Sequence, residues 1–189
     1  MPDRVSALSG HYQIGLLGKD GEPESGVVLS EVPGLILYQV AAWPHTLSSV
    51  GVQAADIIGV TQVSGPGTAA AGPDGALLRI EPLKWWCYNS PQMLVLDSEQ
   101  GTTLDLSHSR THLRVRGPQA QECLNRLVPL DLRTSSCPVG SVMSTAFHHV
   151  GITLWHSDHG FELFVPRGFA LSLWEVLVET AAQFGAEIV

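Results

Sequence analysis

The chain has 189 residues, 44% of them apolar and only 15% charged, enough to bury a real core without disulfide staples. Its net charge of −8 comes from 18 acidic against 10 basic residues, and lysine occurs only at Lys19 and Lys84. This balance excludes a phosphate-neutralising face and argues against nucleic acid and anionic membrane as partners. The sparse surface charge instead suggests that part of the chain is covered by another polypeptide.

Residues 1–26 lack a sustained period and read as an extended N-terminal arm able to lie over a neighbouring surface. No apolar run approaches the roughly 20 residues of a membrane helix, and the first residues lack the order of a signal peptide. Cys87, Cys123 and Cys137 form no CxxC pair and read as reduced thiols of a cytoplasmic protein.

Strands are expected at residues 27–29 and 35–42. Pro44 then suits the first position of a helix, with Leu47, Val50, Gly51, Ala54, Ile57 and Ile58 on one face and Gly59 closing it. Residues 64–75 read as a Gly/Pro/Ala loop, followed by short strands at 76–80, 85–88 and 93–96.

The same order then recurs. Strands are expected at 102–106 and 111–115, and Gly117-Pro118 opens a helix with Ala120, Cys123, Leu124 and Leu127 on one face. Short strands follow at 130–132, 142–147, 150–155 and 161–165. A final helix over 167–184 buries Ala170, Leu173, Trp174, Leu177, Ala181 and Phe184, with Gly185 as its cap. The fold class is therefore α+β, with two related β-α-β modules packed together, at 27–101 and 102–189.

No motif completes a site. His156-Ser157-Asp158-His159 sits where a hairpin must turn, so its polar residues need no metal to explain them, and His148 and His149 lie in the same hairpin region. In Ser107-His108-Ser109, strand neighbours point to opposite faces, and no GxSxG elbow exists. Cys137, before Pro138, has only Arg133 as a basic neighbour. Gly65-Pro66-Gly67 lacks the third glycine of a dinucleotide fingerprint. Gly15-Leu16-Leu17-Gly18-Lys19 lacks the hydroxyl residue after a phosphate-loop lysine. Trp85-Trp86 places one indole inward and one outward if the segment is a strand. The outward ring serves either as a partner anchor or as packing under a second lobe, and Trp85, Trp86 and Arg110 are the expected partner-interface residues. No catalytic, cofactor-binding or metal-ligating residue is assigned.

One stretch is distinctive. Asp105-Leu106-Ser107-His108-Ser109-Arg110-Thr111, then Arg116-Gly117-Pro118 and Leu130-Asp131-Leu132, resembles the gamma subunit of heterotetrameric sarcosine oxidase. The resemblance continues through Pro138-Val139-Gly140, Leu154-Trp155, Phe169-Ala170 and Leu173-Trp174, and leaves the N-terminal arm unmatched. That family is in turn similar to the aminomethyltransferases of the glycine cleavage system. Those enzymes carry a Gly-Ile-x-Asp-Asp run on a hairpin strand. The matching run here is Gly151-Ile152-Thr153-Leu154-Trp155, with leucine and tryptophan in place of carboxylates. Such a pair cannot accept a proton or stabilise a cation.

The resemblance implies an aminomethyltransferase-like fold and a non-catalytic role in a complex that oxidatively demethylates sarcosine or a related secondary amine. It implies alpha, beta and delta subunits as partners. FAD and FMN would be held by beta, NAD and tetrahydrofolate by alpha, and zinc by delta. The alternative is a stand-alone folate-binding protein in which Arg110 and the tryptophan pair cradle a pterin or glutamate tail.

Overall fold

A computed structural model of the chain describes residues 5–18 and 25–189. Lys19, and the parts of the expected arm at 1–4 and 19–24, lie outside the described residues. The chain divides into two units, and the division does not follow the 101/102 boundary expected from the repeat.

One unit comprises Gly34–His108 and Gly140–Met143. Its elements are strand β3 (Leu37–Ala42), helix α1 (Leu47–Ile58), β4 (Ala69–Ala71), β5 (Ala76–Glu81), β6 (Lys84–Tyr88) and β7 (Gly101–Asp105). A 3-10 turn over Pro44–Thr46 leads into α1, and Gly59 ends it in the left-handed conformation at φ 77°. The helix buries Val50, Ala54, Ala55 and Ile58 against Val40, Leu77, Trp85, Cys87 and Leu94. Gly51 belongs on this face for a steric reason. A Cβ there would lie 3.0 Å from Val63 Cγ1 and 3.2 Å from the Trp85 ring.

The sheet of this unit runs β4-β5-β6-β3-β7, antiparallel throughout. Residues 69–71, expected in a loop, form edge strand β4 because Ala69–Ala71 pairs with residues 76–78 of β5. Residues 93–96, expected as a strand, join no ladder.

The other unit comprises Met1–Pro33, Ser109–Val139 and Ser144–Val189. It contains β1 (Gly15–Leu17), β2 (Val27–Glu31), β8 (Arg110–Arg116), α2 (Ala120–Asn125), β10 (Val150–Ser157), β11 (Gly160–Pro166), α3 (Ala170–Ala182) and β12 (Ala186–Ile188). With β9 (Val142–Phe147) at its edge, its sheet runs β1-β12-β2-β8-β11-β10-β9. The β2–β12 pair is parallel, while β1–β12, β2–β8, β8–β11 and β10–β11 are antiparallel. Leu132 is buried, but 130–132 is not a strand.

The expected repeat is present in the topology. In one unit the hairpin after α1 pairs with the strand before it, in the order β5-β6-β3, and in the other the hairpin after α2 pairs with the strand before it, in the order β10-β11-β8. What differs from expectation is the flanking strand. Residues 101–105 pair with β3 rather than opening the second module, and 27–31 pair with β8 rather than opening the first. Both segments alternate well enough to form strands, but alternation does not name the sheet they join.

Residues 5–18 are not a loose arm. Leu8 is fully buried, and β1 pairs with β12. The Tyr12 ring stacks on Trp174 of α3 at 5.2 Å, and its hydroxyl accepts from Glu31 N (3.0 Å) and donates to Val189 O. The face expected for the last helix is the face it buries, with Ala170, Leu173, Trp174, Leu177 and Ala181 all inside. No helix among the described residues is long and apolar enough to cross a membrane.

Candidate functional site

The sequence His112-Leu113-Arg114-Val115 alternates, so β8 sends Leu113 and Val115 to one face of its sheet and His112 and Arg114 to the other. Across the ladder, β11 alternates as Phe161, Leu163 and Val165 against Glu162 and Phe164. Register places Glu162 opposite Arg114 on one side and opposite Trp155 of β10 on the other. The result is a carboxylate in the middle of a sheet with no exposed surface.

Burying an ionised carboxylate is costly unless each oxygen is satisfied. Here His112 Nε2 donates to Oε2 at 2.7 Å, Arg114 Nε to Oε1 at 2.8 Å, and Ser157 Oγ to Oε1 at 2.8 Å. Ser157 Oγ in turn accepts from His159 N at 3.0 Å, tying the hairpin turn to the charge. Burial pushes the Glu162 carboxyl upward, but His112, Ser157 and Arg114 together outweigh it and hold the group below the usual carboxylate range. Burial lowers His112 and prevails over the neighbouring carboxylate, so at neutral pH the imidazole is an uncharged Nε2–H donor. Its ring stacks on Phe164 at 4.7 Å.

This cluster is not a nucleophile triad. In such a triad the imidazole accepts the hydroxyl proton. Here His112 and Ser157 both donate to the same carboxylate, so neither activates the other. The arrangement holds one negative charge in place.

Of the three expected interface residues, Trp85 and Trp86 lie inside the chain. Trp85 is fully buried against α1, with the Arg79 guanidinium 4.9 Å from its ring centre. Trp86 points to the other face yet is only 3% exposed, and its Nε1–H donates to Gln39 Oε1 at 3.3 Å. The outward indole therefore packs within the chain and neither ring is offered to a partner or a ligand. Arg110 is half-buried at the start of β8, opposite Pro166, with Nη1 donating to the neighbouring Ser109 carbonyl. These residues present no aromatic cradle for a pterin. On the hairpin, Leu154 and Trp155 are both buried.

The remaining candidates have local roles. His156 donates Nδ1–H to Cys137 O at 2.7 Å and stacks on Phe161, while His148, His149 and His159 are exposed. Among the described residues no group of three or more His, Cys, Asp and Glu is arranged to hold a metal ion. Cys87 and Cys123 are buried thiols pushed up to about 12 and about 11 by burial. The Asp105-Leu106-Ser107 signature builds a turn. Asp105 Oδ1 accepts from Ser107 N at 2.8 Å, and Ser107 Oγ accepts from Leu37 N at 3.0 Å where β7 ends.

Glu162 is the residue that sequence reasoning missed. Its signal was a lone acid inside the apolar run Phe161-Glu162-Leu163-Phe164-Val165, facing a strand with two basic groups spaced by two.

The two sheets and their repeated order define an aminomethyltransferase-like α+β protein. Residues 88–189 match the model of the GCVT N-terminal domain, and the chain belongs to that family. It is similar to the sarcosine oxidase gamma subunit of Corynebacterium sp. (strain U-96), with 27% identity over 177 residues covering 86% of this chain and 83% of the relative. The structure of heterotetrameric sarcosine oxidase from Corynebacterium sp. U-96, in complex with pyrrole 2-carboxylate, contains a chain of like fold. That match has a TM-score of 0.78 and 21% identity, and covers 96% of both chains. The glycine cleavage system aminomethyltransferase T of Bartonella henselae matches with a TM-score of 0.60 and 14% identity, over 87% of this chain but 48% of that one.

Proposed function

We propose that the chain is a non-catalytic, gamma-type subunit of a heterotetrameric sarcosine-oxidase-like flavoenzyme complex that oxidatively demethylates sarcosine or a related secondary amine. The observation that carries this reading is coverage. The chain corresponds to most of the length of a sarcosine oxidase gamma subunit and to about half of an aminomethyltransferase. The buried, mutually satisfied Glu162 cluster and the Leu154-Trp155 pair agree with a scaffold role, since the carboxylate is fully engaged by its neighbours and reaches no surface.

Alpha, beta and delta subunits are the proposed partners. FAD, FMN, NAD, tetrahydrofolate and zinc are assigned to those subunits and none to this chain. The test is co-expression with candidate alpha, beta and delta chains. The expected result is stoichiometric co-purification and a flavoprotein that fails to assemble without this chain. A flavoprotein that assembles fully in its absence, with this chain running as a monomer, overturns the proposal. Saturable tetrahydrofolate binding by the isolated chain, followed by tryptophan fluorescence, would instead favour the stand-alone folate-binding reading.

A further inference from the structure

The apolar residues 93–96 and strand β7 leave opposite ends of a tight turn, in which Gln100 N and Gly101 N both donate to Asp97 O at 2.8 and 3.2 Å. Two extended arms joined this closely ordinarily zip into a hairpin. These diverge. Among the described residues the backbone of 93–96 makes no hydrogen bond, although Met93, Leu94, Val95 and Leu96 are suited to a strand. Between the arms lies an open groove of about 490 Å³, lined by Trp43, residues 93–96 and Gly101, Thr102 and Thr103.

The floor of this groove is a sheet edge, because β7 has β3 on one side only. Leu106 N donates to Leu37 O and Trp43 N to Gln100 O, so even-numbered residues of this stretch face β3. The N–H and C=O of Thr103 therefore face outward, into the groove. Thr103 Oγ1 is buried and has no hydrogen-bond partner.

The walls are apolar and open. Val95 is 83% exposed, Trp43 46% and Met93 44%. The rim is acidic, with Asp97 and Glu99 exposed and in no ion pair among the described residues. The cations of this unit are engaged elsewhere. Lys84 pairs with Glu81 at 2.9 Å, and Arg79 donates to the Ser64 and Pro82 carbonyls.

We propose that this groove receives an extended segment of a partner polypeptide, apolar with at least one Lys or Arg, as an added strand along β7. The Thr103 edge supplies main-chain hydrogen bonds, Trp43, Met93 and Val95 take alternate apolar side chains, and Asp97 and Glu99 meet the cation. The inference rests on the subunit reading above and assigns it a surface.

The test uses the full chain co-expressed with candidate alpha, beta and delta subunits. Thr103→Pro removes the outward N–H without touching the β3 ladder, and Val95→Asp puts a charge on the groove wall. Each variant is expected to keep the melting temperature of the free chain and to lose about tenfold or more in recovered complex. In the wild-type complex the Thr103 amide is expected to exchange with solvent far more slowly than in the free chain, a measurement that stands even where a variant misfolds. Assembly with unchanged Thr103 exchange and unaffected variants overturns the groove proposal alone. A wild-type chain that binds none of these subunits overturns the subunit reading as well.

Discussion

Glu162 lies directly opposite Trp155 in the β10–β11 ladder, so a buried carboxylate stands beside an indole in the middle of the sheet. Its surroundings decide its role. A catalytic acid must reach substrate, whereas Glu162 is fully buried and its oxygens take donors from His112, Arg114 and Ser157.

Removing this charge should be severe. Glu162→Ala leaves the Arg114 cation without its buried counter-charge and takes the acceptor away from the His112 and Ser157 donors. The expected loss is about 3–5 kcal/mol of unfolding free energy, read from urea denaturation. A loss within error would mean that water reaches the cluster.

Acid should weaken the same unit in two stages. The folded chain holds His112 below its ordinary value of about 6.5, so the unfolded state binds a proton that the folded state refuses. This contribution is full above that range and declines as pH falls through it. Glu162 acts lower down, because its folded value lies below the ordinary carboxylate value of about 4.3 and its contribution is lost below that pH. Melting temperature should therefore fall from pH 7 to pH 5, and less steeply in His112→Gln. Equal slopes for the two proteins would remove His112 from this account.

Trp174 joins the last helix to the N-terminal segment through the Tyr12 stack. Trp174→Ala should cost about 3–5 kcal/mol, since it empties a fully packed site. Tyr12→Phe keeps the ring but loses the hydroxyl bonds to Glu31 and Val189, and should cost about 1 kcal/mol per bond. Denaturation midpoints with unchanged slopes would check both values.

Gly101 starts β7 at φ +155°, and a Cβ there would stand 2.1 Å from the Ala41 carbonyl oxygen. Gly101→Ala must therefore pry β7 from β3 and is expected to destabilise the five-stranded unit by about 1–3 kcal/mol. Hydrogen exchange should show faster opening of β7 amides, with the amides of α3 unchanged.

Much of this architecture was legible in the residues. The helical faces of α1 and α3 follow from their spacing, and the repeated strand–helix–hairpin order was visible in the placement of Pro44 and Pro118. Membership of each sheet was not, because the period-two pattern of residues 27–31 and 101–105 fits either sheet equally. The tryptophan pair misled for a related reason. Alternation correctly sends Trp86 to the face opposite Trp85, but it does not say whether that face is dry. Glu162 was hidden because satisfying a buried charge takes partners from another strand, and those become neighbours only once the register is set.

The parallel pairing of β12 with β2 also orders events during synthesis. Residues 186–188 sit between β1 and β2, so the seven-stranded sheet has a gap beside residues 27–31 until those residues have left the ribosome. The strands of the five-stranded sheet are all made far earlier, since they fall within residues 37–105. A nascent chain thus carries one finished sheet while the edge of the other waits open, the state in which chaperone capture and strand theft by a second copy are most favoured.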